Sequence, residues 1–159
     1  TYIIAGMPNV GKSSLLNTLT RNNFKTASYP FTTQSVYTGF IEEEGVRIQL
    51  IDTPGILDRP MSERNELERR SILSLKDIRG VILFLIDHSD TSGYTVEQQE
   101  ALFEEITNTF HKKVVRVQTK TDISKRVEEI GISNVNKDGL EELRNFIFIH
   151  AGEMVDTGY

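Results

Sequence analysis

The chain has 159 residues, 38% of them hydrophobic and 26% charged, with a formal net charge of −5. That length suits one domain with a sizeable core, and the acidic balance argues against non-specific nucleic-acid binding. There is no cysteine, which excludes a disulfide framework and a thiolate metal site and fits a reducing cytoplasm; the longest apolar run, residues 81–86, is too short to cross a membrane, and no signal-peptide pattern is visible.

The first apolar run, Ile3-Ile4-Ala5, predicts a buried strand over residues 2–5. Directly after it, Gly6-Met7-Pro8-Asn9-Val10-Gly11-Lys12-Ser13 fits the pattern G-x-x-x-x-G-K-[ST] without a mismatch. Residues 14–19 follow as a helix, with Leu15, Leu16 and Leu19 on one face. A plain glycine turn would also join a strand to a helix, but strand, loop and helix together describe a phosphate-binding loop. Its glycines let the backbone wrap phosphate oxygens, and the consecutive N–H groups of Asn9, Val10, Gly11, Lys12, Ser13 and Ser14 converge at the helix N-terminus. Lys12 would reach the β- and γ-phosphates, and the Ser13 hydroxyl would ligate magnesium.

A polar stretch over residues 21–34 contains Tyr29-Pro30-Phe31-Thr32-Thr33. A nucleotide switch needs a hydroxyl that joins magnesium when the γ-phosphate is present and leaves when it is lost. Thr33 is the choice and Thr32 the alternative; a β-favouring threonine pair entering a strand is the plainer explanation. Strands are predicted over 35–41 and 46–51. The short link 42–45 makes them a hairpin, so one pair is antiparallel.

Asp52-Thr53-Pro54-Gly55 follows. Asp, Pro and Gly are turn formers, but an acid at a strand end facing a phosphate loop is the expected magnesium holder. Gly55 can bring its N–H to the γ-phosphate because it carries no side chain. A helix is predicted over 62–76, a fully buried strand over 81–86 and a helix over 96–110, with Leu102, Phe103, Ile106 and Phe110 on one face. A strand over 114–117 leads into Gln118-Thr119-Lys120-Thr121-Asp122. Asp122 there can accept from both N1–H and the exocyclic amine of guanine, a donor pair that adenine lacks. The Lys120 stem can lie along the base. Another short strand leads to Ile132-Ser133-Asn134-Val135, whose backbone amides can reach the base oxygen. A helix over 140–149 and a loose tail, 152–159, complete the chain.

Apolar strands alternating with helical patterns predict an α/β protein. The specific expectation is the three-layer P-loop NTPase fold: a mostly parallel six-stranded sheet with one antiparallel strand and helices on both faces. Residues 1–151 form its single domain, cut from a longer protein. The loops at the carboxyl ends of the strands carry the chemistry. His88, His111 and His150 lack metal-ligand spacing, and Arg69-Arg70, Lys112-Lys113 and Lys125-Arg126 are too short to form a basic patch.

With these loops in order, the chain resembles a P-loop GTPase of the Obg-related group, nearest its nucleolar GTP-binding protein (Nog) branch. The residues that carry the resemblance are Pro8-Asn9-Val10-Gly11-Lys12-Ser13-Ser14-Leu15-Leu16, Ser28-Tyr29-Pro30-Phe31-Thr32-Thr33, and Ile51-Asp52-Thr53-Pro54-Gly55-Ile56-Leu57-Asp58-Arg59-Pro60 with Ser62-Glu63-Arg64-Asn65. The resemblance implies GTP and GDP as ligands, magnesium as cofactor, and a role in assembly of the large ribosomal subunit, whose precursor would be the partner. Nothing in this domain marks a nucleic-acid surface of its own, and no membrane partner is expected. Lys12, Thr33 and Gly55 would carry catalysis, and Ser13, Thr33 and Asp52 the metal.

Two positions depart from the family pattern. Its guanine motif N-K-x-D has Thr119 in place of asparagine, which keeps a hydroxyl but loses the amide reach. Its S-A motif reads Ser133-Asn134. Ile56 stands where many GTPases place a water-orienting glutamine, as in the related families, and predicts slow intrinsic turnover. Asn9 stands where some similar GTPases use an asparagine to help bind potassium beside the phosphates. An ATPase of the same fold, or a nucleotide-bound scaffold with negligible hydrolysis, are the competing functions.

Overall fold

The computed structural model describes residues 1–21, 23–28, 35–53 and 57–150. The expectations placed on Thr32, Thr33, Gly55, Ile56 and the tail 152–159 lie outside the described residues.

Six strands form one sheet: β1 (Tyr2–Ala5), β2 (Phe24–Ser28), β3 (Ser35–Glu43), β4 (Val46–Asp52), β5 (Val81–Asp87) and β6 (Val114–Thr119). Their order is β2-β3-β4-β1-β5-β6. β3 is antiparallel to both its neighbours, whereas β4, β1, β5 and β6 pair in parallel. One strand therefore runs against the other five, as expected. β1 and β5 are buried along their whole length, which explains why their sequences are continuous apolar runs and not alternating ones.

The helices are α1 (Lys12–Thr20), α2 (Glu66–Ser74), α3 (Val96–Phe110) and α4 (Leu140–Ile149). The parallel register pairs Ala5 with Phe84 and Tyr2 with Val81, so Phe84 and Tyr2 project from opposite faces of the sheet. Phe84 meets Phe103 of α3 edge-on, ring centroids 5.4 Å apart. The Tyr2 hydroxyl donates to the Ile147 carbonyl of α4 at 3.4 Å. Helices thus cover both faces. Ile72 of α2 and Leu102, Ile106 and Phe110 of α3 line one small apolar cavity, so these two helices share a face. The chain leaves β1 for β2, beyond β4 on one side, whereas it leaves the neighbouring β5 for β6 on the other. This reversal is the switch point where open α/β sheets bind ligands.

Three local expectations are corrected. The polar stretch 21–34 contains β2, an edge strand whose Lys25 and Thr26 are exposed, so it carries no apolar signature. Phe24 and Tyr37 hold it to β3 edge-to-face at 5.8 Å. The helix expected over 62–76 is interrupted: a 3-10 turn, Met61–Glu63, stops at extended Arg64. Asn65 and Glu68 then form a capping box that starts α2 afresh. The short strand expected before Ile132 is reduced to one bridge, Gln118 with Gly131.

Candidate functional site

The loop after β1 is shaped by two glycines. Gly6 has φ 143°, and a Cβ there would stand 2.7 Å from the Leu85 carbonyl oxygen, so no other residue fits without displacing β5. Gly11 caps α1 at φ 109° with no side-chain cap bond, which leaves the first N–H groups of the helix without a side-chain acceptor. Loop and helix end line an open cleft of about 480 Å³, with Asn9, Lys12, Ser13, Asp58 and Lys120 among its walls. Uncapped donors at a helix N-terminus favour an anion.

Lys12 is 8% exposed. Its ammonium donates to the carbonyls of Gly6 at 2.7 Å and Met7 at 2.9 Å. Burial pulls its pKa below the ordinary lysine value, and the charges of Asp58 and Asp52 act in the opposite direction. The cation is therefore held inside the loop, at a wall of the cleft.

Asp52 ends β4 and is fully buried. Its Oδ2 accepts from Ser13 Oγ at 3.0 Å, while Oδ1 has no partner. Burial raises its pKa, opposed by the Ser13 hydrogen bond and the charge of Lys12. A buried carboxylate oxygen without a donor costs about 1–3 kcal/mol or more, a cost that a nearby cation would remove. Among the described residues, no three His, Asp or Glu side chains gather into a metal cage. Ser13 and Asp52 nevertheless fit magnesium, which takes one or two protein ligands and completes its shell with phosphate oxygens and water.

The loops expected to read the base meet the loop after β1 directly. Thr119, at the end of β6 and 1% exposed, donates its hydroxyl to the Val10 carbonyl at 2.7 Å. Ser133 donates to Asp122 Oδ1 at 2.8 Å; its oxygen also accepts from the N–H groups of Val135 and Asn136. Asp122 is exposed and so keeps acceptor capacity for a ligand. Asn134 lies against the phosphate loop: its Nδ2 is 3.4 Å from where a Cβ on Gly11 would stand, and its Oδ1 is buried without a partner.

Lys120 Nζ donates to Asp87 Oδ2 at 2.8 Å and to Thr91 Oγ1 at 2.7 Å. Asp87 ends β5, its side chain fully buried, and it accepts from the Ser89 N–H at 2.7 Å. Burial would raise the Asp87 pKa, but the hydrogen bonds from Lys120 and Ser89 hold it below the ordinary aspartate value.

The fold thus brings Asn9, Lys12, Ser13, Asp52, Thr119, Lys120, Asp122, Ser133 and Asn134 to one end of the sheet. Asn9 and Ser14 are exposed there. Two residues without an assigned role join them. Asp87 occupies the same strand-end position on β5 that Asp52 holds on β4, the signal that could have found it. Asp58 borders the cleft and accepts from Arg64 Nη2 at 2.6 Å. The Arg64 side chain is fully buried and also reaches Glu68 at 3.0 Å; only burial distinguishes it from the other arginines. The histidines stay outside the site. His88 contacts Glu128 at 3.0 Å, His111 caps α3, and the His150 ring lies 4.3 Å from that of Phe146.

A family model described as a 50S ribosome-binding GTPase matches residues 1–120. Among curated proteins, the chain is similar to an uncharacterized protein of Methanocaldococcus jannaschii, 47% identical over 123 residues, covering 77% of this chain and 34% of that one. It is also similar to nucleolar GTP-binding protein 1 of Arabidopsis thaliana, 42% identical over 146 residues, covering 91% of this chain and 21% of that one. The chain therefore spans about a third or less of these relatives. Among solved structures, it resembles a nucleolar GTP-binding protein 1 from Plasmodium falciparum, with TM-score 0.81 and 31% identity over 99% of this chain and 86% of that one. The G domain of the T. maritima FeoB iron transporter superposes with TM-score 0.76 and 29% identity, covering 94% of this chain and 97% of that one.

Proposed function

This chain belongs to the 50S ribosome-binding GTPase family as a GTP-binding domain, and we propose that it hydrolyses GTP to GDP and phosphate as a magnesium-dependent switch in assembly of the large ribosomal subunit. The observation that carries the guanine assignment is the pairing of two loops. Thr119 joins the base loop to the phosphate loop at Val10, while Ser133 orients the exposed Asp122 carboxylate beside it.

In this function Asp122 accepts from the guanine N1–H and amine, and Lys120 lies along the base. The N–H groups of residues 9–14 cradle the phosphates. Lys12 exchanges its carbonyl partners for the β- and γ-phosphate oxygens, so a cation already desolvated meets charge it can neutralise. Magnesium would be held by Ser13 and Asp52, with Thr33 as the switch ligand, and would neutralise charge on the transferred phosphoryl group. Gly55 would offer its N–H to the γ-phosphate. Ile56 cannot orient water, so intrinsic turnover is slow, and Asn9 would help hold potassium, which would supply positive charge.

Residues 1–151 act as the G domain of a longer protein, with the large-subunit precursor as partner. Absence of cysteine supports a cytoplasmic setting, although several relatives carry a nucleolar name. No described helix is long and apolar enough to cross a membrane. Titration of labelled GDP and ADP with magnesium tests the assignment: tight GDP binding, weak ADP binding and loss of that preference in Asp122→Asn are expected. Equal affinity for the two would overturn it.

A further inference from the structure

We infer that the side-chain amide of Asn134 is a specificity element of this site, donating to the N7/O6 edge of the bound guanine; this rests on the guanine-nucleotide function proposed above.

A base whose N1–H and amine face Asp122 turns its other edge, with the two acceptors N7 and O6, away from that carboxylate. The backbone amides of residues 132–135 can reach O6, and N7 beside it calls for a further donor from a side chain. The Thr119 hydroxyl has one proton, and it is committed to the Val10 carbonyl at 2.7 Å. The Ser133 proton is committed to Asp122 at 2.8 Å. The Lys120 ammonium is drawn to Asp87 and Thr91. Asn134 differs from all three. Its Nδ2 stands against Gly11 of the phosphate loop, and its Oδ1 is buried with no partner, so nothing in the protein rewards placing an amide there. Thr119 Cγ2 lies 3.9 Å from the same point on Gly11. Thr119 and Asn134 therefore approach one wall of the cleft from two loops, with the short side chain fixing the wall and the long one supplying the donor. Adenine presents an N6 amine where guanine has O6, so a donor here disfavours adenine as well as holding guanine.

The experiment is titration of labelled GDP against the parent protein, Asn134→Ala, Thr119→Asn and the double variant, each with nucleotide-free thermal melts. Asn134→Ala is expected to weaken GDP by about tenfold with little change in melting. The double variant, in which an asparagine at position 119 fills the vacated space, is expected to recover most of that loss. Thr119→Asn alone should bind no more tightly than the parent, because two amides crowd Gly11. Unchanged GDP affinity in Asn134→Ala, or no recovery in the double variant, would overturn the inference. Failure of the parent to bind GDP would instead remove the function it rests on.

Discussion

Thr119 Oγ1 donates to the carbonyl of Val10 at 2.7 Å, joining residues 109 apart in the chain with both ends buried. The bond ties the loop expected to read the base to the loop expected to hold the phosphates. Thr119→Val keeps the shape and removes the donor, leaving a buried carbonyl unsatisfied. We expect a loss of about 1–2 kcal/mol in urea unfolding, a fall in GDP affinity, and near-normal behaviour of Thr119→Ser. A Thr119→Val protein with parental stability and affinity would show that the tie is dispensable.

Lys120 and Asp87 form a second tie, with Asp87 fully buried and Lys120 a quarter exposed at its side chain. Asp87→Asn should cost about 1–3 kcal/mol, less than the loss of a wholly buried pair because Lys120 keeps access to water. The Asp87 pKa is held below its unfolded value. Its contribution is therefore present above the ordinary aspartate value and is lost as pH falls through the folded one. Urea midpoints measured from neutral pH downward should fall more steeply for the parent than for Asp87→Asn. Parallel curves would contradict this.

Gly6 combines φ 143° with a Cβ position 2.7 Å from Leu85 O. Gly6→Ala should lose about 1–3 kcal/mol from backbone conformation alone, and more from displacing β5. Because the shift falls in the phosphate loop, GDP affinity should drop along with the melting temperature. A variant as stable as the parent would mean that the loop relaxes freely.

Ser13 and the orphaned oxygen of Asp52 lead to an expectation for metal removal. Chelation of magnesium should weaken GTP binding to the parent, while Ser13→Ala should bind GTP weakly with or without the metal. Isothermal titration with and without chelator distinguishes the two proteins. An equal magnesium response in both would exclude Ser13 as a ligand.

Asn9 stands exposed at the mouth of the cleft with φ 68°. GTP turnover should be faster in potassium than in sodium buffer, by less than the ~10³-fold of an arginine finger, and Asn9→Ala should erase the difference. Equal parental rates in the two salts would end the potassium hypothesis.

The loop after β1 was legible in the sequence because its elements are contiguous: Gly6 follows the strand, Gly11 caps α1, and Lys12 and Ser13 sit at the helix start. The buried strands were legible because burial on both faces demands unbroken apolar runs, as in β5. Asp52 and Asp122 could be found as acids next to such runs. β2 was not legible, because an edge strand with exposed Lys25 and Thr26 needs no apolar pattern and exists only by pairing with β3. Nor were the partners of Thr119, Lys120 and Arg64. Those contacts join loops 109, 33 and 6 residues apart, and no periodicity or motif spacing encodes which side chain a loop will meet. The parallel sheet made that choice, because it gathers the carboxyl ends of β1, β4, β5 and β6 at one edge and buries polar groups there that can be satisfied only by one another or by a ligand.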